Sequence, residues 1–245
     1  MLPLKKDLKL MRSLHQKKFR NETGLFIVEG KKMVEEAIQS DFDVHSIYTT
    51  DPEWKSGSTE ACLIPAREME TISGLTTPAG YIAAVHQSGN KPLTTTEKFV
   101  FVLDGINDPG NLGTILRTAD WFGVKSIICT PETVDVYNPK VVQSTMGSIF
   151  NTRLHYLNVE IISKWANENG YTFLGADLSG ADVFGLSFPT KTAMVIGSES
   201  HGIRDAMRAH IRQFVHIPGN GKAESLNAGV AAAIVVSQWF RTKSN

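Results

Sequence analysis

The sequence predicts an α/β protein, a mostly parallel sheet flanked by helices and preceded by a smaller α/β module. Three observations carry this. Strand-length apolar runs alternate with helix-length amphipathic segments along the chain. Phe99–Leu103 (FVFVL) is apolar at every position and is bounded by Asp104 and Gly105, the look of a parallel strand buried on both faces. Between the two halves, QSGNKPLTTTEK (87–98) is polar and aperiodic and contains Gly and Pro, as a linker does. The expected division is a first domain over 1–90, a linker over 91–98 and a second domain over 99–245.

The chain begins with a basic stretch. Lys5, Lys6, Lys9, Arg12, Lys17, Lys18 and Arg20 face a single acid, Asp7, while Leu4, Leu8, Met11 and Leu14 recur at spacings of three and four. That spacing puts the apolar residues on one helical stripe with most of the cations elsewhere. Such a face is either solvated or in contact with phosphates. Beyond it, Leu25–Val28 reads as a strand, Lys31–Gln39 as a helix and Val44–Tyr48 as a strand. Ala61–Ile64, Ala66–Ile72 and Tyr81–Val85 then repeat the strand, helix, strand order. After the linker, the helical segments are Leu112–Phe122, Pro139–Met146, Val159–Asn169 and about Ser225–Thr242. The strands are Phe99–Leu103, Ser126–Cys129, Thr172–Leu174, Ala193–Ile196 and Gln213–Ile217. An open sheet of this kind receives ligands at the carboxyl ends of its strands.

Composition excludes several classes. Among 245 residues, 25 Lys and Arg balance 25 Asp and Glu, so no supercharged nucleic-acid surface exists, although local patches remain open. Two cysteines, Cys62 and Cys129, are too few for a disulfide framework or a zinc site and fit a reducing cytoplasm; no metal is expected. No apolar run reaches membrane-spanning length, and no apolar signal core follows the first lysines, so no membrane association is expected. Nucleotide fingerprints also fail. Gly219, Gly221 and Lys222 suggest a phosphate loop, but Ala223 stands where a Ser or Thr belongs, and no G-x-G-x-x-G follows Phe99–Leu103. No HExxH pair and no GxSxG elbow occurs.

Three glycine-rich segments remain, each at the end of an expected strand. In DPGNLGTILRTADWFGV (108–124), Pro109 and Gly110 make a turn, Asn111 is placed to cap the following helix, and Arg117 lies six residues on. VIGSESHGI (195–203) runs from strand to loop through Gly197, Glu199 and Gly202. IPGNGKAESLNAGVAAA (217–233) leads past two glycines to Ser225 and Asn227 at the mouth of a small-residue helix. Any one of these alone is more readily a turn beside a packed helix.

Together and in this order they resemble the motifs of the SpoU/TrmH family of RNA 2'-O-ribose methyltransferases, within the SPOUT class. The family patterns are roughly N-x-G-x-x-x-R-T/S-A, G-x-E-x-x-G and I-P-M-x-G-x-x-x-S-L-N. This chain supplies Asn111, Gly113, Arg117, Thr118 and Ala119; Gly197, Glu199 and Gly202; and Ile217, Pro218, Gly221, Ser225, Leu226 and Asn227. It departs at Gly219, where Met is usual, and at Ala228-Gly229, where Val-Ser is common; both bear on local shape around the cofactor. KLMRSLHQKKFRNETGLFIVEGKKMVEEAI (9–38) resembles the substrate-binding domain that precedes the catalytic one in many such enzymes, a module akin to kink-turn-binding ribosomal proteins.

The resemblance implies a parallel sheet with a deep trefoil knot whose loops bind S-adenosylmethionine. Backbone at Gly197, Ile217 and Leu226, with Glu199, Gly202, Pro218, Gly221, Ser225 and Asn227 around them, would hold the cofactor. Asn111 and Asn227 would position ribose and phosphate, and Glu199 would fix the cofactor loop or Arg117. The family assigns proton removal to the arginine matching Arg117, yet a guanidinium is effectively always protonated. Either Arg117 accepts a proton transiently, or it stays charged and clamps a phosphate while the proton leaves through Ser225, Glu199 or water. Energetics favour the second. The resemblance further implies RNA contacts at Arg12, Lys17, Lys18, Arg20 and Arg117, and a homodimer whose sites the partner chain completes. Ribosomal RNA stands ahead of transfer RNA as substrate, because of the N-terminal domain. A catalytically silent RNA-binding or assembly factor is the alternative from another class.

Overall fold

A computed structural model describes residues 5–55, 59–89, 93 and 96–243. Leu4, much of the expected linker and Asn245 lie outside the described residues. In chain order the elements are α1 (Lys5–Ser13), α2 (Lys17–Thr23), β1 (Leu25–Glu29), α3 (Lys31–Gln39), β2 (Val44–Thr49), β3 (Cys62–Leu63), α4 (Ala66–Ile72) and β4 (Tyr81–His86). There follow β5 (Phe99–Asp104), α5 (Pro109–Trp121), β6 (Ser126–Cys129), α6 (Pro139–Thr145), β7 (Arg153–Tyr156), α7 (Val159–Glu168) and β8 (Thr172–Asp182). The chain closes with β9 (Thr192–Gly197), α8 (Asp205–Arg208), β10 (Gln213–His216) and α9 (Ala228–Lys243). The chain divides into two compact units. The first joins Met1–Lys91 to Asp135–Asn151; the second comprises Pro92–Val134 and Thr152–Asn245. The segment 135–151, placed with the second domain by sequence, thus packs with the first unit.

In the first unit the sheet order is β1-β4-β2-β3, with β4 antiparallel to both neighbours and β3 parallel to β2. The basic stretch folds as two helices, broken after Leu14, where Gln16 adopts extended backbone ahead of α2. Met11 and Leu14 of the expected stripe are fully buried, packed with Leu25, Ile27, Ile72 and Ile82. All five residues of β1 are buried because both faces of the strand are covered. Leu25 and Ile27 face that core, and Phe26 on the other face meets Tyr137 at 4.7 Å between ring centroids. Phe150 makes an edge-on contact with Phe42, which in turn packs on Phe26. These rings are what hold segment 135–151 in this unit.

Arg20 belongs to the same arrangement. It is 2% exposed, donates from Nη1 to the carbonyls of Leu14 and His15, and pairs through Nη2 with Asp135 at 2.7 Å. The expectation of an RNA contact there is corrected: a guanidinium that is itself buried, held by two carbonyls and the half-buried Asp135 carboxylate, has no face exposed to a phosphate. Arg12, Lys17 and Lys18 are exposed, although Arg12 donates to the Thr71 carbonyl.

The second unit is an all-parallel sheet in the order β10-β8-β9-β5-β6-β7. All six residues of β5 are buried, as an apolar run requires. Strands progress outward from β5 in one direction through β6 and β7, and in the other through β9, β8 and β10. The reversal between β5 and β9 is a topological switch point, where parallel sheets open a crevice. Register puts Asp104, the last residue of β5, opposite Gly197, the last of β9. Two strands exceed or escape expectation. β7 (RLHY) is a half-exposed edge strand of four residues, too short for its alternation to stand out, and β8 runs eight residues past Leu174. Its pairing with β10 jumps from Phe214↔Gly175 to Val215↔Ala181, and a Cβ at Gly180 would lie 2.3 Å from the Val215 nitrogen.

Candidate active site

The site lies within the second unit, at the carboxyl ends of β5, β9 and β10, where each of the three glycine-rich segments leaves the sheet. The first turns into α5. Its cap is Asp108, which accepts from the Asn111 backbone N–H at 2.8 Å, with Pro109 in the first turn. The expectation that Asn111 itself caps α5 is therefore corrected, and its side chain is free for another use. That side chain is buried and stands between the other two segments. Its Nδ2 donates to Glu199 Oε1, and its Oδ1 accepts from Asn227 Nδ2 at 2.6 Å. One amide thus links all three segments.

Asn227 has a second role. Its Oδ1 accepts from the backbone N–H groups of Gly229 and Val230, at 2.9 and 3.2 Å, which makes it the cap of α9. Gly229 is required for the approach of α9 to α5, since a Cβ there would fall 2.9 Å from Thr114 Cγ2. The second segment closes on itself: Ser198 and Gly202 exchange two backbone hydrogen bonds, of 3.1 and 2.9 Å. A Cβ on Gly197 would sit 2.2 Å from the Gly202 carbonyl carbon, and Gly202 has φ +65°. Both glycines are therefore demanded by backbone geometry.

Three residues not singled out by sequence complete the frame. Asp104 is 0% exposed. Its Oδ1 accepts from Arg204 Nε and Nη2 at 2.9 and 2.6 Å, and its Oδ2 from the Arg204 backbone N–H at 2.8 Å. Arg204 Nη1 reaches Glu132 at 2.6 Å. The bonds from Glu132 and Asp104 raise the Arg204 pKa further, and the bond from Arg204 pulls the Glu132 carboxyl down to about 2. Arg204 follows the Gly197–Ile203 loop directly, so the bidentate clamp fixes that loop to the end of β5. The available signal was the acid closing an otherwise apolar strand.

The remaining expected site residues are not drawn into this frame. Arg117 is exposed, about 9 Å along α5 from Asn111, and forms no ion pair with a described residue. Ile217 is half-buried; Pro218, Gly221, Ser225 and Leu226 are exposed along an irregular loop, Leu226 to 48%. Arg12, Lys17, Lys18 and Arg20 belong to the first unit. Among the described residues no cluster of His, Cys, Asp or Glu is arranged for a metal, and no helix is long and apolar enough to cross a membrane.

Known proteins share these features. A model of the SpoU rRNA Methylase family matches residues 98–237, and one of the MRM3-like substrate binding domain matches residues 5–83. RlmP of Bacillus subtilis, a 23S rRNA (guanosine(2553)-2'-O)-methyltransferase, is 31% identical over 230 residues, or 92% of each chain. A 23S rRNA (uridine(2479)-2'-O)-methyltransferase of Streptomyces viridochromogenes is 28% identical, covering 91% of this chain and 85% of its own. The AdoMet-bound rRNA methyltransferase of Sinorhizobium meliloti has a TM-score of 0.88 at 28% identity, covering 99% of this chain and 97% of its own. The fold is that of the SPOUT class of RNA methyltransferases. Within that class, this chain belongs to the SpoU rRNA methylase family.

Proposed function

We propose that this protein transfers the methyl group of S-adenosylmethionine to a ribose 2'-hydroxyl of RNA, ribosomal RNA ahead of transfer RNA. The observation that carries the reading is the Asn227–Asn111–Glu199 chain, which joins three separate strand ends into one site.

The residues fit the cofactor. Gly197 and Gly202 form a tight turn, and the Ile217–Leu226 loop offers exposed backbone, with open space where Cβ atoms would stand at Gly219 and Gly221. Leu226 gives an exposed apolar surface beside the capped end of α9. When bound, S-adenosylmethionine supplies an electrophilic methyl group whose departure leaves a neutral thioether. The chain's task is then to orient the 2'-oxygen within about 3 Å of that methyl and to take up its proton. Arg117 stays charged and clamps the RNA phosphate, with the ribose held beside Asn111 and Asn227. The proton leaves through Ser225, Glu199 or water. The C-terminal part of the chain is proposed to be threaded as the knot of this class.

Arg12, Lys17 and Lys18 on the first unit are proposed as backbone contacts that hold RNA register. The active assembly is proposed as a cytoplasmic homodimer. An exposed apolar face runs along α5 through Trp121, which is 85% exposed, and along α9 through Val230 and Phe240. Phe122 and Phe240 join the two helices at 5.6 Å, and a second copy is the occupant such an apolar face suits.

Mapping ribose methylation in total RNA, with and without the gene, tests the reaction; loss of one rRNA 2'-O-methyl site is expected, and an unchanged map overturns it. Calorimetry with S-adenosylhomocysteine tests the site independently, and absence of binding at about 1 mM ligand rejects the cofactor.

A further inference from the structure

The first unit contains a cavity of about 490 Å³ that the methyl-transfer site does not use. We propose that it receives an unpaired guanine base of the RNA substrate, an inference that rests on the RNA-methyltransferase reading.

The cavity's chemistry is specific. Ile27 and Val142 supply apolar walls, and Glu29 presents a carboxylate that is 6% exposed. Burying a carboxylate is costly unless its oxygens are bonded. Here Ser73 Oγ donates to Oε2 at 2.5 Å and the Gly74 N–H donates to Oε1 at 2.8 Å. A carboxylate accepts about four hydrogen bonds, so each oxygen retains capacity for one more. Two adjacent acceptors select two adjacent donors. Guanine carries N1–H beside its 2-amino group on the Watson–Crick edge. Adenine and cytosine set an amino group beside an acceptor, and uracil sets one N–H between two carbonyls.

The mouth suits an RNA strand. The His15 ring lines the cavity, held by its Nε2–H bond of 2.8 Å to the Ile72 carbonyl, and offers a face for stacking. Met146 lines it too, exposed and with φ +50°. Lys140 lines it as well, and the exposed cations Arg12, Lys17 and Lys18 lie within three residues of His15 in sequence. The cations address phosphates, the ring and thioether the base faces, and the carboxylate the base edge.

The test titrates the full chain, saturated with S-adenosylhomocysteine to occupy the methyl-transfer site, with guanosine and inosine monophosphates, which differ only in the 2-amino group. GMP is expected to bind at least about ten-fold more tightly than IMP. Ser144→Phe, which fills the cavity from α6, is expected to abolish GMP binding while leaving S-adenosylhomocysteine affinity unchanged. Glu29→Gln is expected to erase the GMP preference; it decides the question if Ser144→Phe does not fold. Equal binding of the two nucleotides, GMP binding unaffected by both variants, or no GMP binding by a chain that binds S-adenosylhomocysteine overturns the proposal. Failure of S-adenosylhomocysteine itself to bind overturns the methyltransferase reading instead.

Discussion

Asn227 performs two tasks with one amide: its oxygen caps α9, and its nitrogen donates to Asn111. The tasks are separable. Asn227→Asp retains an oxygen for the cap but replaces the donor with a second acceptor facing Asn111 Oδ1. Its unfolding free energy is expected to fall by only about 1–2 kcal/mol, the cost of the lost Asn111 bond, because Asn and Asp cap almost equally well. Its affinity for S-adenosylhomocysteine is expected to fall about ten-fold, as one hydrogen bond in a partly buried network is lost. Denaturant titration and calorimetry read the two effects. Arg117 poses a different question, because its exposed guanidinium is free to act as a clamp but not as an ordinary base. Arg117→Lys keeps the charge and loses the planar fork. Under the clamp reading, turnover falls modestly with an unchanged pH profile, whereas Arg117→Ala is nearly inactive. A pH profile displaced by the lysine would instead implicate residue 117 in proton transfer.

Elements carry the next level of control, through the Gly197–Arg204 loop. Gly197→Ala brings a methyl group to 2.2 Å from backbone that cannot yield without opening the loop. Destabilisation of about 1–3 kcal/mol and loss of cofactor binding are expected, measured by urea unfolding and calorimetry. At the loop's far end, Arg204 lowers the folded-state pKa of Glu132 to about 2, from an ordinary 4.5. A depressed carboxyl stabilises the fold above its unfolded pKa and loses that contribution as pH falls through the folded value. The stability difference between the parent and Glu132→Gln is therefore expected to be flat above about pH 5 and to vanish towards pH 2. It stays below about 1 kcal/mol, since Glu132 is largely exposed. Arg204→Ala is more severe, at about 3–5 kcal/mol, because it strands the fully buried Asp104. At this scale the sequence was informative where burial is complete: β5 and β9 read as strands because apolar residues fill them. It was uninformative at β7, a four-residue edge strand too short to register, and along β8, where glycines and polar residues follow an irregular pairing. Asn111, Glu199 and Asn227 stood in the sequence only as parts of three separate motifs, and the Asp104–Arg204 bond, which spans 100 residues, left as its trace only the acid that closes an apolar strand.

The whole molecule adds what no segment contains. Trp121 is exposed to a degree unusual for so large an apolar ring, and it shares a face of α5 with Arg117. Trp121→Glu is expected to convert the proposed dimer to monomer by light scattering, and to lower activity without altering the far-ultraviolet circular dichroism. A variant that scatters as the parent does would remove α5 from the interface. The membership of residues 135–151 in the first compact unit was not readable from the sequence, because Tyr137 and Phe150 declare their partners only in three dimensions. That membership has a consequence for biogenesis. A ribosome releases this chain from its amino terminus, and the first unit stays incomplete until residue 151 has cleared the exit tunnel. By then β5, α5 and β6 of the second unit are already outside, waiting for strands not yet released. The two units must therefore mature as interleaved nascent chains, and a gene fragment ending at the apparent boundary near residue 91 would encode neither of them whole.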